Sequence, residues 1–220
     1  MQQVKTILLQ KSVFEDNDAR AAMLRDELRK KGTCLVNVMS SPGSGKTTLL
    51  VALINALKDS FNIGVMEADI DSDKDAVTVA EKTGVRSVQL HTGGMCHLDA
   101  DMTRQGLSEL GEGLDLIFLE NVGNLVCPAE YDTGANVDMV VLSVPEGNDK
   151  PLKYPLVFEK SELAVISKID ALPYFRFDMA ECREYIKARN AGASVIAVSA
   201  KTGENMDELI NWFIRKLSVR

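Results

Sequence analysis

Several features that define other classes of protein are scarce in this sequence. Four cysteines in 220 residues are too few for a disulfide scaffold. No apolar stretch approaches the roughly 18 residues that span a bilayer, and the apolar run at residues 7–9 is too short for a secretory signal. Flexible linkers, internal repeats and blocks of like charge are also missing. We therefore expect a cytoplasmic protein.

Basic residues are also fewer than acidic residues. The chain has 25 Lys and Arg against 32 Asp and Glu, a formal net charge of −7, which argues against general binding to nucleic acid or to an anionic membrane. A local phosphate site remains possible, because backbone N–H groups bind anions without a basic surface. With 45% hydrophobic residues, the chain can build a full hydrophobic core.

Short apolar runs alternate with longer segments of helical period along most of the chain. The predicted strands lie at residues 34–40, 63–67, 87–91, 114–120, 139–144, 163–168 and 195–199. The predicted helices lie at residues 18–31, 46–59, 75–83, 99–110, 178–190 and 206–217. Because continuous hydrophobic strands that alternate with helices are typical of parallel sheets, we predict an α/β fold with a mostly parallel sheet flanked by helices.

The organisation of the chain divides near its first core strand. Residues 1–33 form an N-terminal segment with one amphipathic helix, and residues 34–220 form the α/β domain. The sequence leaves open whether the N-terminal segment packs on the sheet or contacts another subunit. Residues 147–158, with Pro151 and Pro155, are predicted to form a loop. Its Lys150 or Lys153 is expected to approach a nucleotide or a second subunit.

The clearest motif follows the first core strand. Residues 40–48 read Ser-Ser-Pro-Gly-Ser-Gly-Lys-Thr-Thr and precede an apolar-periodic helix, the context of a P-loop. Its glycines let backbone N–H groups face phosphates, Lys46 reaches the β- and γ-phosphates, and the Thr47 hydroxyl can bind Mg²⁺. Ser40 replaces the first glycine of the usual pattern. We therefore predict a single P-loop NTPase domain, Lys46 as a catalytic residue, and the following phosphate-binding residues: Gly43, Ser44, Gly45, Lys46, Thr47 and Thr48.

Two later motifs favour guanine over adenine. One buried strand ends in Ser167-Lys168-Ile169-Asp170, similar to the Asn-Lys-x-Asp motif of GTPases, with serine in place of asparagine. Asp170 can accept hydrogen bonds from guanine N1–H and N2–H₂, and the stem of Lys168 can pack over the base. The next predicted strand leads into a loop similar to the one whose backbone N–H groups meet guanine O6: Ser199, Ala200 and Lys201.

Carboxylates at two other strand ends are candidates for binding Mg²⁺. Glu120 and Gly123 match the spacing of the Asp-x-x-Gly motif of GTPases, so Glu120 is predicted to act on Mg²⁺ and in catalysis, and Gly123 N–H to meet the γ-phosphate. Residues 67–75 are rich in carboxylates, which suit Mg²⁺ and the positioning of an attacking water. In that segment the candidates are Asp69 for Mg²⁺ and Asp75 for Mg²⁺ and catalysis, whereas Asp71 and Asp73 are expected to be solvated.

A different set of residues suggests a transition-metal site. Cys96 and His97 are adjacent just before a predicted helix, and Cys127 follows the Glu120–Gly123 motif closely. Two thiolates and an imidazole suit Zn²⁺ and can hold Ni²⁺ in a planar arrangement. The spacing contains no C-x-x-C pair, and a buried structural thiol is the alternative interpretation for each cysteine.

Four segments together resemble one family. Residues 40–50, 92–100 (Thr-Gly-Gly-Met-Cys-His-Leu-Asp-Ala), 120–128 (Glu-Asn-Val-Gly-Asn-Leu-Val-Cys-Pro) and 146–155 are similar to the HypB-type GTPases of hydrogenase nickel insertion. The resemblance covers about residues 15–215. It implies a homodimeric metallochaperone GTPase that delivers Ni²⁺ during [NiFe]-hydrogenase maturation. The implied partners are a zinc-binding maturation protein and the precursor of the hydrogenase large subunit.

The same resemblance assigns the metal ligands. It places Cys96, His97 and Cys127 on the family's ligand positions, at the subunit interface. The cysteine-rich and histidine-rich amino-terminal motifs of some members are absent, so a role in nickel storage is not expected.

Three other functions remain open on sequence grounds. A sister nickel-chaperone GTPase of the urease accessory type also uses a P-loop, but lacks the Cys-His-Leu-Asp-Ala segment. A P-loop small-molecule kinase needs an acceptor pocket and a lid, and no arginine-rich lid segment is evident. A module that only binds nucleotide would show no Mg²⁺-dependent phosphate release.

Overall fold

A computed structural model describes residues 5–8, 17–69 and 74–218. Eight strands in these ranges form one sheet in which every neighbouring pair is parallel, in the order β1-β4-β3-β5-β2-β6-β7-β8. The strands are β1 (Lys5–Leu8), β2 (Cys34–Ser40), β3 (Ile63–Asp69), β4 (Arg86–His91), β5 (Leu116–Glu120), β6 (Val137–Ser143), β7 (Leu163–Ser167) and β8 (Ser194–Ala197). The predicted α/β fold is confirmed.

Helices cover both faces of the sheet. The α-helices are α1 (Asn17–Lys30), α2 (Lys46–Leu57), α3 (Lys74–Thr83), α4 (Ala100–Leu110), α5 (Cys127–Glu130), α6 (Lys150–Lys153), α7 (Pro155–Lys160), α8 (Met179–Arg189) and α9 (Met206–Ser218). Two 3₁₀ helices, Val144–Glu146 and Ile169–Tyr174, follow β6 and β7. Each lies between a strand and the next helix, at the edge of the sheet where the predicted nucleotide-binding residues lie.

Side chains of successive strand residues enter opposite cores. On β2, Val36 and Val38 pack with residues of α2 and α9 on one face. Leu35 packs with α1 and α4 on the other face, and Met39 with α5, α7 and α8. Because both faces are covered, the central strands are hydrophobic throughout, which is the pattern that predicted a parallel sheet.

The sequence-based assignment was wrong or incomplete at several places, and it did not predict the short helix α5 or the two 3₁₀ helices. It missed β1, a four-residue edge strand that pairs with β4, because its short apolar run does not differ from a loop segment. It also predicted a loop at residues 147–158, where the structure has α6 and α7. Pro151 and Pro155 lie in the first turns of these helices, where the missing N–H has no helical partner to lose.

Helix α1 packs against the domain rather than standing apart from it. Leu24 and Leu28 join the core formed with α4. The Arg25 guanidinium donates to the carbonyl of Ala135 (2.6 Å) and to the carboxylate of Asp132 (2.6 Å). Helix α1 therefore packs on the sheet of its own chain, one of the two arrangements that the sequence left open. No helix within the described ranges is long and apolar enough to span a membrane.

Candidate functional site

A cavity of about 710 Å³ opens at the carboxyl ends of β2, β3 and β5. In parallel α/β sheets this edge is where ligands bind. Its walls include Pro42, Gly43, Ser44, Gly45, Lys46, Thr47, Thr48, Glu67, Asp69, Asp75, Gln89, Glu120, Gly123 and Lys168. The residues predicted to bind phosphate and Mg²⁺ therefore surround one cavity.

The P-loop joins β2 to α2 through two glycines in the left-handed region. Gly43 has a φ of +74° and Gly45 a φ of +91°, values that L side chains rarely adopt. Helix α2 begins at Lys46, directly after Gly45, and its first turn lines the cavity. The positive end of the helix therefore lies at the predicted phosphate position.

Ser40, which replaces the first glycine of the usual pattern, braces the loop. Its hydroxyl donates to the carbonyl of Ser41 (2.7 Å) and accepts from the hydroxyl of Ser44 (2.6 Å). Ser40 and Ser44 are both fully buried. The departure from the pattern thus supplies hydrogen bonds that a glycine could not make.

Lys46, Thr47 and Glu120 converge at the end of β5. Lys46 Nζ lies 3.8 Å from Glu120 Oε1, and the Thr47 hydroxyl donates to the same oxygen at 3.2 Å. Glu120 Oε2 is buried and has no hydrogen-bond partner within the described part of the chain. A buried carboxylate oxygen without a partner, beside a threonine hydroxyl, fits a hard divalent cation.

Glu67 adds a second carboxyl group to this place. It lies opposite Glu120 of β5 on one side and Gln89 of β4 on the other. Burial, the charge of Glu120 and the hydrogen bond between the two carboxyl groups raise the pKa of Glu67 well above its ordinary value. Burial also raises the pKa of Glu120, although Lys46 opposes it. Without a cation, the pair therefore binds a proton more tightly than two isolated glutamates would.

The other two predicted carboxylates, Asp69 and Asp75, line the same cavity. Asp69 ends β3, and its carbonyl accepts a hydrogen bond from Thr92 N (3.2 Å). Asp75 lies in the first turn of α3, where its charge contributes to raising the pKa of Glu67. Asp71 and Asp73 fall outside the described residues.

Gly123 packs directly on the P-loop. A Cβ at this glycine would lie 3.1 Å from Pro42 Cγ, so a side chain there would push the two segments apart. The Glu120–Gly123 motif therefore contacts the phosphate-binding loop at both ends, through Glu120 and through Gly123.

Ser167 and Lys168 tie the predicted base-reading loop to the P-loop. The Ser167 hydroxyl donates to the carbonyl of Ser44 (2.8 Å), and Lys168 Nζ donates to the carbonyl of Gly43 (2.6 Å). Lys168 has a φ of +59°, an uncommon conformation for lysine. Serine thus retains one bracing hydrogen bond at the position where related motifs have asparagine.

The remaining predicted base contacts lie together beside this junction. Asp170 Oδ1 accepts a hydrogen bond from the hydroxyl of Ser199 (2.7 Å), and Lys201 Nζ lies 4.0 Å from Asp170 Oδ2. Ala200 lies between Ser199 and Lys201. These four residues are outside the walls of the 710 Å³ cavity, whereas Lys168 is part of them.

The segment predicted as a loop also reaches the P-loop. Lys150 Nζ donates to the Ser41 hydroxyl (3.5 Å) and lies 3.8 Å from Glu146. Lys153 instead pairs with Asp149 on the surface (2.6 Å). Of the two lysines singled out in the sequence, Lys150 is therefore the one at the candidate nucleotide site.

The three predicted transition-metal ligands lie together on a second part of the surface. Cys96 Sγ is 4.0 Å from His97 Nδ1. The neighbouring Cys127 thiol, together with burial, raises the pKa of the Cys96 thiol. Burial lowers the pKa of His97, which favours the neutral imidazole that binds metals. All three side chains are partly exposed.

These three side chains are not drawn together as tightly as a filled site requires. Within residues 17–69 and 74–218, no group of three Cys, His, Asp or Glu side chains has the geometry of a metal site in one chain. The His97 ring stacks on the ring of Tyr131, with centroids 3.5 Å apart and planes 8° apart.

Comparison with known proteins identifies the family. A sequence profile for the CobW/HypB/UreG nucleotide-binding domain matches residues 34–197. The hydrogenase maturation factor HypB of Rhizobium leguminosarum bv. viciae is 43% identical over 213 residues, 96% of this chain and 71% of that protein. The chain belongs to the HypB family.

Solved structures of HypB proteins agree with this assignment. HypB from Helicobacter pylori, crystallised in complex with nickel, has a TM-score of 0.87 at 38% identity. The match covers 93% of this chain and 96% of the Helicobacter pylori chain. HypB from Archaeoglobus fulgidus has a TM-score of 0.85 at 35% identity, covering 92% and 98%. The predicted HypB resemblance and P-loop NTPase fold are confirmed.

A series of hydrogen bonds between buried side chains, not predicted from the sequence, extends away from the candidate nucleotide site of this HypB-family domain. Asn121 follows Glu120, and its Nδ2 donates to Asn37 Oδ1 (2.9 Å). Asn37 Nδ2 donates to Asp138 Oδ1 (2.9 Å). Asp138 borders a small cavity of about 100 Å³ below Pro128 and Tyr131. The series therefore runs from the Glu120–Gly123 motif towards the helix that begins with Cys127.

Sequence reasoning missed three residues of the site in this HypB-family chain. Glu67 and Gln89 are polar residues inside hydrophobic strand runs, and that anomaly was a usable signal. Tyr131 had no such signal, because nothing in the spacing relates it to His97.

Proposed function

We propose that this chain is a GTPase that binds nickel and acts as a metallochaperone in [NiFe]-hydrogenase maturation. The observation that carries the proposal is the short segment between Glu120 and Cys127. It begins at Glu120, whose carboxylate lies 3.8 Å from Lys46 of the P-loop, and ends at the Cys127 thiol, which contributes to raising the pKa of Cys96. A nucleotide site and a metal site therefore share one stretch of eight positions.

Nucleotide binding is assigned to the P-loop. Its backbone N–H groups and Lys46 bind the phosphates, and Thr47 and Glu120 bind Mg²⁺ with help from Asp69 or Asp75. One buried oxygen each of Glu67 and Glu120 has no hydrogen-bond partner among the described residues, which supports a cation at this point. When bound, Mg²⁺ neutralises charge that develops on the phosphates.

In hydrolysis, each residue has a separate role. Lys46 donates hydrogen bonds to phosphate oxygens and stabilises the negative charge that accumulates on them. Asp75 accepts a hydrogen bond from the attacking water and orients it. The Gly123 N–H contacts the γ-phosphate, so this peptide moves when the phosphate leaves.

Guanine is the proposed base. Asp170 is held by the Ser199 hydroxyl, which leaves its other oxygen, 4.0 Å from Lys201 Nζ, for a ligand. Guanine presents two adjacent N–H donors to a carboxylate, and adenine does not. The backbone N–H groups of Ser199, Ala200 and Lys201 would then meet O6, and the Lys168 stem would pack over the ring.

Nickel is the proposed cargo and zinc the alternative at the same ligands. The nickel complex of the Helicobacter pylori relative supports the choice of metal. Two thiolates and one imidazole leave at least one coordination position free, and a second copy of the chain would supply ligands to complete it. We therefore propose a homodimer with Cys96, His97 and Cys127 at its interface.

The proposed context is the cytoplasm. The chain receives nickel and passes it on together with a zinc-binding maturation protein, and the final acceptor is the precursor of the hydrogenase large subunit. Relatives named as hydrogenase maturation factors support this choice of pathway.

GTP hydrolysis would serve to change the metal affinity of the second site. When the γ-phosphate leaves, the Gly123 peptide moves, and this movement displaces Cys127, four residues later, relative to Cys96 and His97. Metal–ligand distances tolerate only about 0.2 Å, so a small movement changes affinity. Linkage requires that metal and GTP change each other's affinity by the same factor, typically about 5- to 150-fold.

The experiment measures both activities on the same protein. GTP turnover is followed without any phosphoryl acceptor, and Ni²⁺ and Zn²⁺ are titrated into protein loaded with GDP or with a non-hydrolysable GTP analogue. We expect phosphate release without acceptor and a nucleotide-dependent metal affinity. Turnover only with an acceptor would indicate a kinase, and equal metal affinities in both nucleotide states would contradict the switch.

A further inference from the structure

Helix α5 contacts the Cys96-His97 segment at both of its ends. Its first residue, Cys127, lies near enough to Cys96 to contribute to raising the pKa of that thiol. The residue that caps its other end, Tyr131, stacks on the His97 ring. Pro128 and Ala129 between them are buried, so the short helix is anchored on the domain. The Cys96-His97 segment therefore lies along α5, with Cys96 near its first residue and the His97 ring on Tyr131 at its other end.

The aromatic contact is close and almost parallel. The ring centroids are 3.5 Å apart and the planes differ by 8°. An imidazole that faces a phenol ring over its full area cannot rotate without losing that contact. The plane of the imidazole ring is therefore set by Tyr131 as well as by the backbone at His97.

Metal binding would strengthen this contact. A cation bound to a ring nitrogen withdraws electron density from the imidazole, and an electron-poor ring is attracted more strongly by the electron-rich face of a phenol. By linkage, whatever metal binding adds to the stack, the stack adds to metal binding.

We propose that Tyr131 is a positioning residue of the metal site, whose ring orients the His97 imidazole and holds Cys127 against Cys96. The inference rests on the proposed metal-binding function. It extends that function to Tyr131, a residue that is not one of the proposed metal ligands. Residues that orient metal ligands in this way commonly change metal affinity by about 10- to 100-fold when they are removed.

The test compares three substitutions with the parent protein. Tyr131→Phe keeps the aromatic face, Tyr131→Leu keeps apolar bulk without it, and Tyr174→Ala removes a tyrosine that is 82% exposed and outside the site. Ni²⁺ affinity is measured by titration in a competing chelator, and the thiolate-to-nickel charge-transfer bands are recorded. The His97 ring-proton shifts are measured by NMR in metal-free protein.

We expect Tyr131→Leu to weaken Ni²⁺ binding by about 10- to 100-fold, to shift the charge-transfer bands and to remove the ring-current shift of His97. Tyr131→Phe and Tyr174→Ala should stay within about threefold of the parent, because the stacking face or the whole site is intact. Unchanged affinity and bands in Tyr131→Leu would overturn the inference, as would equal losses in Tyr131→Leu and Tyr131→Phe.

A merely structural role gives a different result. It would lower the thermal midpoint of metal-free Tyr131→Leu and leave the bands of the nickel-loaded protein unchanged, which would also overturn the inference. Failure of the proposed function is distinguishable, because the parent protein itself would then show no Ni²⁺ binding that depends on Cys96.

Discussion

The candidate nucleotide pocket and the proposed metal site of this protein are built in opposite ways. The pocket lies at the carboxyl edge of the sheet, and its central carboxyl groups sit on hydrogen-bonded neighbouring strands with 2% and 4% exposure for Glu67 and Glu120. The proposed metal ligands lie on the surface, where a loop meets a helix of four residues. Strand register fixes relative positions firmly, whereas a loop and one helical turn can shift. The proposed switch would use both, since one part must hold while the other moves.

The largest effect is expected from removing the positively charged side chain of Lys46 in the P-loop. Lys46→Ala should lower GTP turnover by about 100- to 1,000-fold, because a donor to the developing phosphate charge is lost. The fold should persist, since Glu120 can take up a proton when its cationic neighbour is gone. Phosphate release and circular dichroism of the variant test both statements.

The matched control is Lys153→Ala, which removes an exposed lysine that pairs with Asp149 on the surface. If Lys46→Ala turned over GTP like this control, the P-loop assignment would be wrong. Metal affinity of nucleotide-free Lys46→Ala should equal that of the parent. A change there would show that the pocket and the metal site are less separate than their architecture suggests.

A second substitution, at the proposed metal site, removes a metal ligand. Cys127→Ala should weaken Ni²⁺ binding by more than about 100-fold, because losing a ligand exceeds the roughly 10- to 100-fold effect of losing an outer-shell partner. GTP binding by metal-free protein should be unchanged. Titration of Ni²⁺ and of a fluorescent GTP analogue measures the two affinities.

Cys182→Ala serves as the control for thiol loss, since burial raises the pKa of Cys182 to about 12 and that thiol lies on α8. Undiminished Ni²⁺ binding in Cys127→Ala would make Cys127 a structural thiol. The two sites would then be independent.

A third substitution tests base recognition at the rim of the pocket. Asp170→Asn should weaken GTP binding by roughly 10- to 100-fold, because hydrogen bonds to a charged group contribute about 1.5–3 kcal/mol. It should favour xanthosine triphosphate, whose O2 can accept from the asparagine amide. Competition between the two nucleotides gives the ratio directly, and an unchanged preference would move base recognition to other residues.

The smallest effect concerns the buried series of hydrogen bonds that runs from the pocket towards the proposed metal site. Burial raises the pKa of Asp138 to about 6, with Asp132 adding to the shift and Asn37, Arg25 and Lys160 opposing it. The folded protein holds this proton over a pH range in which the unfolded chain, with an aspartate pKa near 3.9, has lost it. Stability from this group is therefore greatest at low pH and falls between about pH 4 and pH 6.

Asp138→Asn keeps an oxygen that can accept from Asn37 and has no proton to lose. Its free energy of unfolding, relative to the parent, should rise by about 1–3 kcal/mol between pH 4 and pH 7. Denaturant unfolding at both pH values measures this difference. A pH-independent difference between variant and parent would show that Asp138 does not titrate in this range.

Prediction from sequence succeeded where chemistry depends on residues close together in the chain. The P-loop needs two glycines, a lysine and a threonine within a few positions of a strand end, so its pattern and context are readable. Segment 147–158 was misread because proline interrupts helices in their interior but is tolerated in the first turn. Tyr131 and the Asn121–Asn37–Asp138 chain were missed because their partners come from distant segments.

The sequence by itself determined the α/β fold, the P-loop and the family, since all three depend on local patterns of apolar, glycine and polar residues. Only the tertiary structure decided that Glu67 and Glu120 share a buried place, that Ser40 and Ser167 brace the P-loop, and that Tyr131 covers His97. Strand order and helix packing bring these groups together. Which strands become neighbours depends on burying apolar surface over the whole domain, and no single segment of sequence contains that information.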